Sequence, residues 1–136
     1  MGLSEKSQEN LEIVDICLRS GHYNAGINRA YYAAFQKIKD YLEGVGFSNE
    51  EFDNFGNPYK PFSHGEIASV LITYLTGTVG VSYVKLANLY CYDDLYHKRK
   101  VADYYPNMMS KADLLDRQKQ VIAICKLIDS VKEGRL

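Results

Sequence analysis

The sequence predicts an all-α protein, an up-and-down four-helix-type bundle with one shorter accessory helix, and three observations carry that expectation. Apolar residues recur three and four apart in five segments, which is the period of a helix with one buried face. Gly21, Ser63, Pro106, Ser110 and Gly134 stand where helices would start or stop. No stretch alternates apolar and polar residues as a half-buried strand does. At 136 residues the chain suits one domain, 1–136, with a core large enough to hold without disulfide or metal staples.

The first helix is expected in "LSEKSQENLEIVDICLRSG", capped by Ser4 or Ser7, with Leu11, Val14, Ile16, Cys17 and Leu18 inward and Gly21 ending it. The second has the plainest pattern, from about Tyr23 to Val45, with Ile27, Ala30, Tyr31, Ala34, Ile38, Tyr41, Leu42 and Val45 on one stripe. Asn28, Arg29, Tyr32 and Gln36 lie roughly opposite, a face equally suited to solvent or to a dimer contact. From Gly46 to Phe62 periodicity is lost, and loops of that length often carry function. "SHGE" reads as a capping box from Ser63 to Glu66, opening a helix to about Thr76. A fourth helix is expected from Val81 to Tyr105, its stripe being Val84, Ala87, Cys91, Leu95 and Ala102, with Pro106 stopping it. Ser110 and Asp113 signal the last, which runs to Gly134.

Composition narrows the function classes. With 16 Lys+Arg against 17 Asp+Glu the net charge is -1, so no global basic field draws nucleic acid, and any such contact is local. The aromatic choice is skewed, with 12 Tyr, 5 Phe and no Trp, which suits half-wet contacts. Cys17, Cys91 and Cys125 are distant in sequence and sit in apolar helical patterns, as reduced, buried thiols do. No apolar run approaches the roughly 20 residues of a membrane span, and the N-terminus lacks the apolar core of a signal peptide. A soluble, cytoplasmic protein with no membrane partner is expected. HxxxH, HExxH and CxxC spacings are absent, as are GxSxG, Walker and GxGxxG motifs, so neither a metal nor a cofactor is expected.

Chemistry concentrates in "YDDLYHKRKVADYYP". On a helical wheel Arg99 borders the apolar stripe one turn before Asp103, so an Arg99–Asp103 pair at i, i+4 is the nearest arrangement. On the sequence pattern alone a structural pair at a bundle seam outweighs a site by about two to one, since structural ion pairs outnumber functional ones. His97, Lys98 and Lys100 spread round the helix, as solvated charges do. Alternatively, Lys98, Arg99 and Lys100 form the mouth of an anion site where the tyrosines stack bases or orient water. His64 follows Ser63 and either touches a helix end or sits beside a ligand, and His22 belongs to a turn.

"GHYNAGINRAYYAAFQKIKDYL", "SHGEI" and "LYHKRKVADYYP", in that order, resemble the small single-domain HEPN proteins, over about Leu11 to Val131. The resemblance implies a helical bundle forming a homodimer, in nucleic-acid-related defence or toxin–antitoxin settings. In the catalytic members an arginine is followed four to six residues on by a histidine, and two such motifs meet in a metal-free RNA-cleaving site. Arg99 matches the arginine; Tyr104 or Tyr105 fills the histidine position, and no histidine lies beyond His97. If the protein is an enzyme, the resemblance implies a metal-independent endoribonuclease with Arg99, Asp103 and Tyr104 at the reacting group. Lys98, Lys100, Arg29 and His64 would then hold RNA phosphate. The other reading is a noncatalytic dimeric module that binds a nucleotide or a nucleotidyltransferase-like antitoxin.

Overall fold

The computed structural model describes residues 2–136. Five α-helices make up most of it: α1 Leu3–Ser20, α2 Tyr23–Gly44, α3 Ile67–Tyr74, α4 Tyr92–Tyr104 and α5 Lys111–Lys132. Among the described residues the fold is all-α but for one two-stranded hairpin, β1 Glu51–Phe52 with β2 Pro58–Tyr59.

α2 is the central helix, and α1, α3, α4 and α5 all pack on it. Ile27, Ala30, Tyr31, Ala34, Ile38 and Leu42 are each 0% exposed, as the period-3.6 stripe requires. α1 returns antiparallel to it after Gly21, whose φ of 78° is the left-handed conformation that glycine adopts freely, and whose N–H reaches Cys17 O. α4 also runs antiparallel to α2, whereas α5 runs parallel to it. Pairs along the helices show this: Asn24 with Ala102 and Tyr32 with Arg99 for α4, Lys37 with Asp129 and Asp40 with Lys132 for α5. One apolar cluster runs through all five helices.

Several local expectations need correction. α1 starts right after Gly2, not at Ser4 or Ser7. The Ser7 hydroxyl is turned inward and donates to Ala33 O at 2.7 Å, because a buried hydroxyl must find an acceptor and α2 supplies one. Ile16 is 53% exposed, since it lies ~100° round the helix from Cys17 and faces away from α2. Val45, one residue past the end of α2, is exposed as well. Ser63 makes no capping box: its backbone carbonyl, not its hydroxyl, accepts the N–H groups of Glu66 and Ile67. The capping box is at Ser110 and Asp113, with both arms formed.

The stretch expected as one fourth helix is two pieces. Tyr83–Cys91 is a 3₁₀-helix, capped by Ser82, and α4 begins only at Tyr92. With three residues per turn, Leu86, Leu89 and Tyr92 face inward, and Val84 (84% exposed) and Ala87 fall off the stripe. Past α3 the chain widens into a π-turn, Leu75–Val79, ended by Gly80 in the left-handed conformation. The 46–62 segment carries the hairpin, its turn tied by Asp53, whose carboxylate accepts the N–H groups of Asn57 and Phe55 and is thereby held below the usual carboxylate range. Cys17 is buried, but Cys91 and Cys125 are only half-buried, and all three thiols are free. Among the described residues no helix is long and apolar enough to cross a membrane.

Candidate functional site

Tyr31 sits in the apolar stripe of α2 with 0% exposure, and its hydroxyl must therefore be satisfied inside the protein. Two partners meet it: Tyr92 Oη from the start of α4 at 2.9 Å, and His64 Nδ1 from the turn before α3. Tyr92 Oη in turn lies 3.3 Å from the backbone carbonyl of His64. Burial pushes the hydroxyl pKa of both tyrosines well up, so both remain protonated at any physiological pH. The His64 ring is clamped flat against Phe35, centroids 4.3 Å apart at 17°, and lies nearly parallel to Tyr96 at 6.4 Å and 15°.

Arg99 enters from α4 on the solvent side of this cluster. Its Cζ lies 5.4 to 5.6 Å from the ring centres of Tyr31, Tyr32 and Tyr104, and it donates from Nη2 to Tyr32 Oη at 3.1 Å. Asp103 stands one turn on, its Oδ2 2.9 Å from Arg99 Nε. The Nε–H is not aimed along that line, so the contact is an ion pair without a directed hydrogen bond. Asp103 Oδ2 also accepts from Asn28 Nδ2 at 2.9 Å, which anchors the carboxylate to α2. Burial works against the charged guanidinium, but Tyr32, Asp103 and Tyr104 outweigh it and hold the Arg99 pKa above its usual value. The His64 pKa moves down, first because burial disfavours the imidazolium and then because the Arg99 charge does.

The fold thus brings Arg99, Asp103, Tyr104 and His64 together. Lys100 joins at the rim, its Nζ 4.4 Å from the centre of the Tyr96 ring. Lys98 does not: it points to the other flank of α4, where its charge acts on Asp113 at the start of α5. Arg29 is not at the cluster either, since its Nη1 is 3.4 Å from Asn10 Oδ1 on α1. Gln36 accepts from Asn10 as well, so of the polar α2 set only Asn28 and Tyr32 face α4. His97 is exposed.

Sequence reasoning did not single out Tyr31, Tyr92, Tyr96 or Phe35 as site residues. One signal was present: a tyrosine inside an otherwise apolar stripe must bring a partner for its hydroxyl, and Tyr31 is such a residue. Asn24 was missed too. It fixes the approach to α5 by donating to Ala102 O and Asn107 O (3.1 and 3.0 Å) and accepting from Met109 N (2.9 Å).

No protein-family model and no curated protein matches the chain. A fixed cation, a neutral imidazole and a carboxylate share one aromatic surface, which suits an anionic ligand that offers a flat face to stack and a proton to exchange. Roomier clefts lie elsewhere. One of about 690 Å³ separates the hairpin from α3, lined by Phe47, Asp53, Tyr59 and Thr73. Another of about 470 Å³ runs along α5 beneath Lys85, Lys119 and Lys126. The lowered pKa of Asp53 in the first is explained by its own turn. Among the described residues no three His, Cys, Asp or Glu side chains are placed to hold a metal ion.

Proposed function

We propose that the protein acts on RNA through the Arg99 cluster, as a metal-independent endoribonuclease of HEPN type. The observation that carries this reading is the convergence of Arg99, ringed by Tyr31, Tyr32 and Tyr104, with His64, whose ring centre lies 5.7 Å from that of Tyr31 and 6.0 Å from that of Tyr32. The histidine missing from the segment after Arg99 has a counterpart supplied by a different part of the chain. Arg99 would take the scissile phosphate, Lys100 a neighbouring one, and exposed Tyr104 a flanking base by stacking. Asp103, tied to Asn28, orients the guanidinium.

The test is direct. Purified protein is incubated with a mixed RNA pool in excess chelator, and cleavage is read on a sequencing gel alongside Arg99→Ala. Cleavage that Arg99→Ala removes supports the reading, and intact RNA at high protein excess refutes it. A noncatalytic reading is favoured by a separate observation. Tyr104 (71%), Tyr105 (61%) and Met108 (87%) are exposed at one end of the bundle. That surface suits a second copy of the chain or a nucleotidyltransferase-like partner. Light scattering that finds a ~31 kDa particle, twice the 15.5 kDa chain, with no RNA cleavage, would favour it.

A further inference from the structure

The direction of the hydrogen bonds behind His64 decides which ring nitrogen holds its proton. A carbonyl only accepts, so the contact between Tyr92 Oη and His64 O uses the one Tyr92 proton. The Tyr92 oxygen must then accept from Tyr31 at 2.9 Å, which uses the Tyr31 proton. The Tyr31 oxygen is left to accept, and its remaining partner is His64 Nδ1, which is therefore the protonated nitrogen. The chain starts and ends on the same residue. Tyr31 and Tyr92 are 0% and 1% exposed, so their two hydroxyls find these partners rather than bulk water. The opposite order would leave the His64 carbonyl without its Tyr92 donor and place the proton on Nε2. Among the described residues no hydrogen bond engages Nε2.

We propose that His64 is the proton acceptor of the site, held by Tyr31 and Tyr92 as the Nδ1–H tautomer so that the Nε2 lone pair meets a ribose 2′-hydroxyl beside Arg99. Tyr31 and Tyr92 are positioning residues. The inference rests on the RNA-cleaving reading of the cluster. Nε2 takes the 2′-hydroxyl proton, the O2′–P bond forms, and the P–O5′ bond breaks. The leaving 5′-oxygen takes a proton from water, and the imidazolium returns its own proton to the hydroxide so made. The products are a 2′,3′-cyclic phosphate and a 5′-hydroxyl, with no oxidant, metal or co-reactant consumed. The Arg99 guanidinium offsets the charge that builds on the phosphorane oxygens. The stack on Phe35 fixes the plane of the ring, and the lowered pKa keeps the imidazole neutral and able to accept.

Two measurements on the whole chain test this. Long-range proton–nitrogen correlation spectra of histidine-labelled protein above pH 7 read the tautomer, with His64→Gln identifying the signal. The Nδ1–H form is expected, and a dominant Nε2–H form overturns the inference whatever the activity. Cleavage of a short oligoribonucleotide in chelator reads the role. His64→Gln should slow it about a hundredfold or more and leave RNA affinity by anisotropy unchanged, whereas Arg99→Ala should weaken binding. Tyr31→Phe should lower kcat with KM unchanged and displace the acid limb of the pH profile, which a merely structural loss would not do. The titratable groups facing His64 are Tyr31 and Tyr32 from α2 and Tyr92, Tyr96 and Arg99 from α4. Cleavage by His64→Gln at the wild-type rate overturns the inference alone, while an inactive wild type overturns the cleaving reading together with it.

Discussion

Replacing Gly26 by alanine sets two effects of opposite sign against each other. In a helix interior alanine is favoured over glycine by about 1 kcal/mol. A methyl at Gly26, however, would lie 2.5 Å and 2.9 Å from the two Leu114 δ-carbons and 3.0 Å from Cys17 Cβ. Leu114 is 0% exposed and has no open space to turn into, and Cys17 Cβ is fixed to the α1 backbone. Overpacking of this kind costs about 1–3 kcal/mol, so the net expectation is a loss of about 1 kcal/mol, up to about 2. For a chain of this length that is a fall of roughly 3–6 °C in Tm. Gly44, on the same helix, provides the contrast: nothing lies within 4 Å of a methyl there, and Gly44→Ala should gain a few tenths of a kcal/mol. Urea and thermal unfolding followed by far-UV circular dichroism measure both, and adding Leu114→Ala to Gly26→Ala should show coupling of about 0.5–3 kcal/mol. A Gly26→Ala protein more stable than wild type by about 1 kcal/mol, as helix propensity alone would give, would refute the close approach of α1, α2 and α5 at this point.

Two further outcomes are expected. Asn24→Ala removes one hydrogen bond to the last turn of α4 and the two that tie the α4–α5 connection to α2, and should cost about 1–3 kcal/mol in urea unfolding. Hydrogen exchange at the Met109 amide should speed up in parallel, and an unchanged rate there would contradict the tie. Acid should weaken the fold through His64: the folded state, with its lowered pKa, binds fewer protons than the unfolded chain, whose histidine titrates near ~6.5. The contribution is therefore full above about pH 6.5 and is lost as pH falls through the lowered folded value. Urea midpoints at neutral and mildly acidic pH should thus show a smaller drop for His64→Gln than for wild type, and identical drops would remove His64 as the cause.

What was legible in the sequence was whatever depends on neighbours within one helical turn. Gly21, Ser110 with Asp113, and Gly134 at φ 69° terminate helices as their local chemistry requires. The Arg99–Asp103 pair formed because i and i+4 face the same way on any α-helix. The Val84 stripe failed for a related reason: it assumed 3.6 residues per turn in a segment that winds at three, and over nine residues that error turns the face away from the core. Ser63 failed because a cap signal says only that a hydroxyl can bond a helix end, and here the backbone carbonyl already does so. The pairing of Tyr31 with His64 spans 33 positions and a turn with no periodicity, so only tertiary packing determines it. The charge of Lys98 and of Arg29 does not tell which flank of a helix the side chain leaves by.

Tyr92 explains why the change of helix type falls where it does. Upstream, the three-residue period puts Leu86, Leu89 and Tyr92 in the core; downstream, the α period puts Tyr92, Tyr96, Arg99 and Asp103 on one face toward α2. Only a residue that ends one stripe and begins the other can serve both, and it must be large and apolar on its ring yet able to bond at its tip. Phenylalanine would fill the core but leave the Tyr31 hydroxyl one partner short and the His64 carbonyl without a donor, each a buried polar group costing about 1–3 kcal/mol. The hydroxyl chain from Tyr92 through Tyr31 to His64 therefore fixes more than a side-chain orientation. It couples the register of α4 to the turn before α3, so that Arg99 and His64 face the same surface from elements 35 residues apart in the chain.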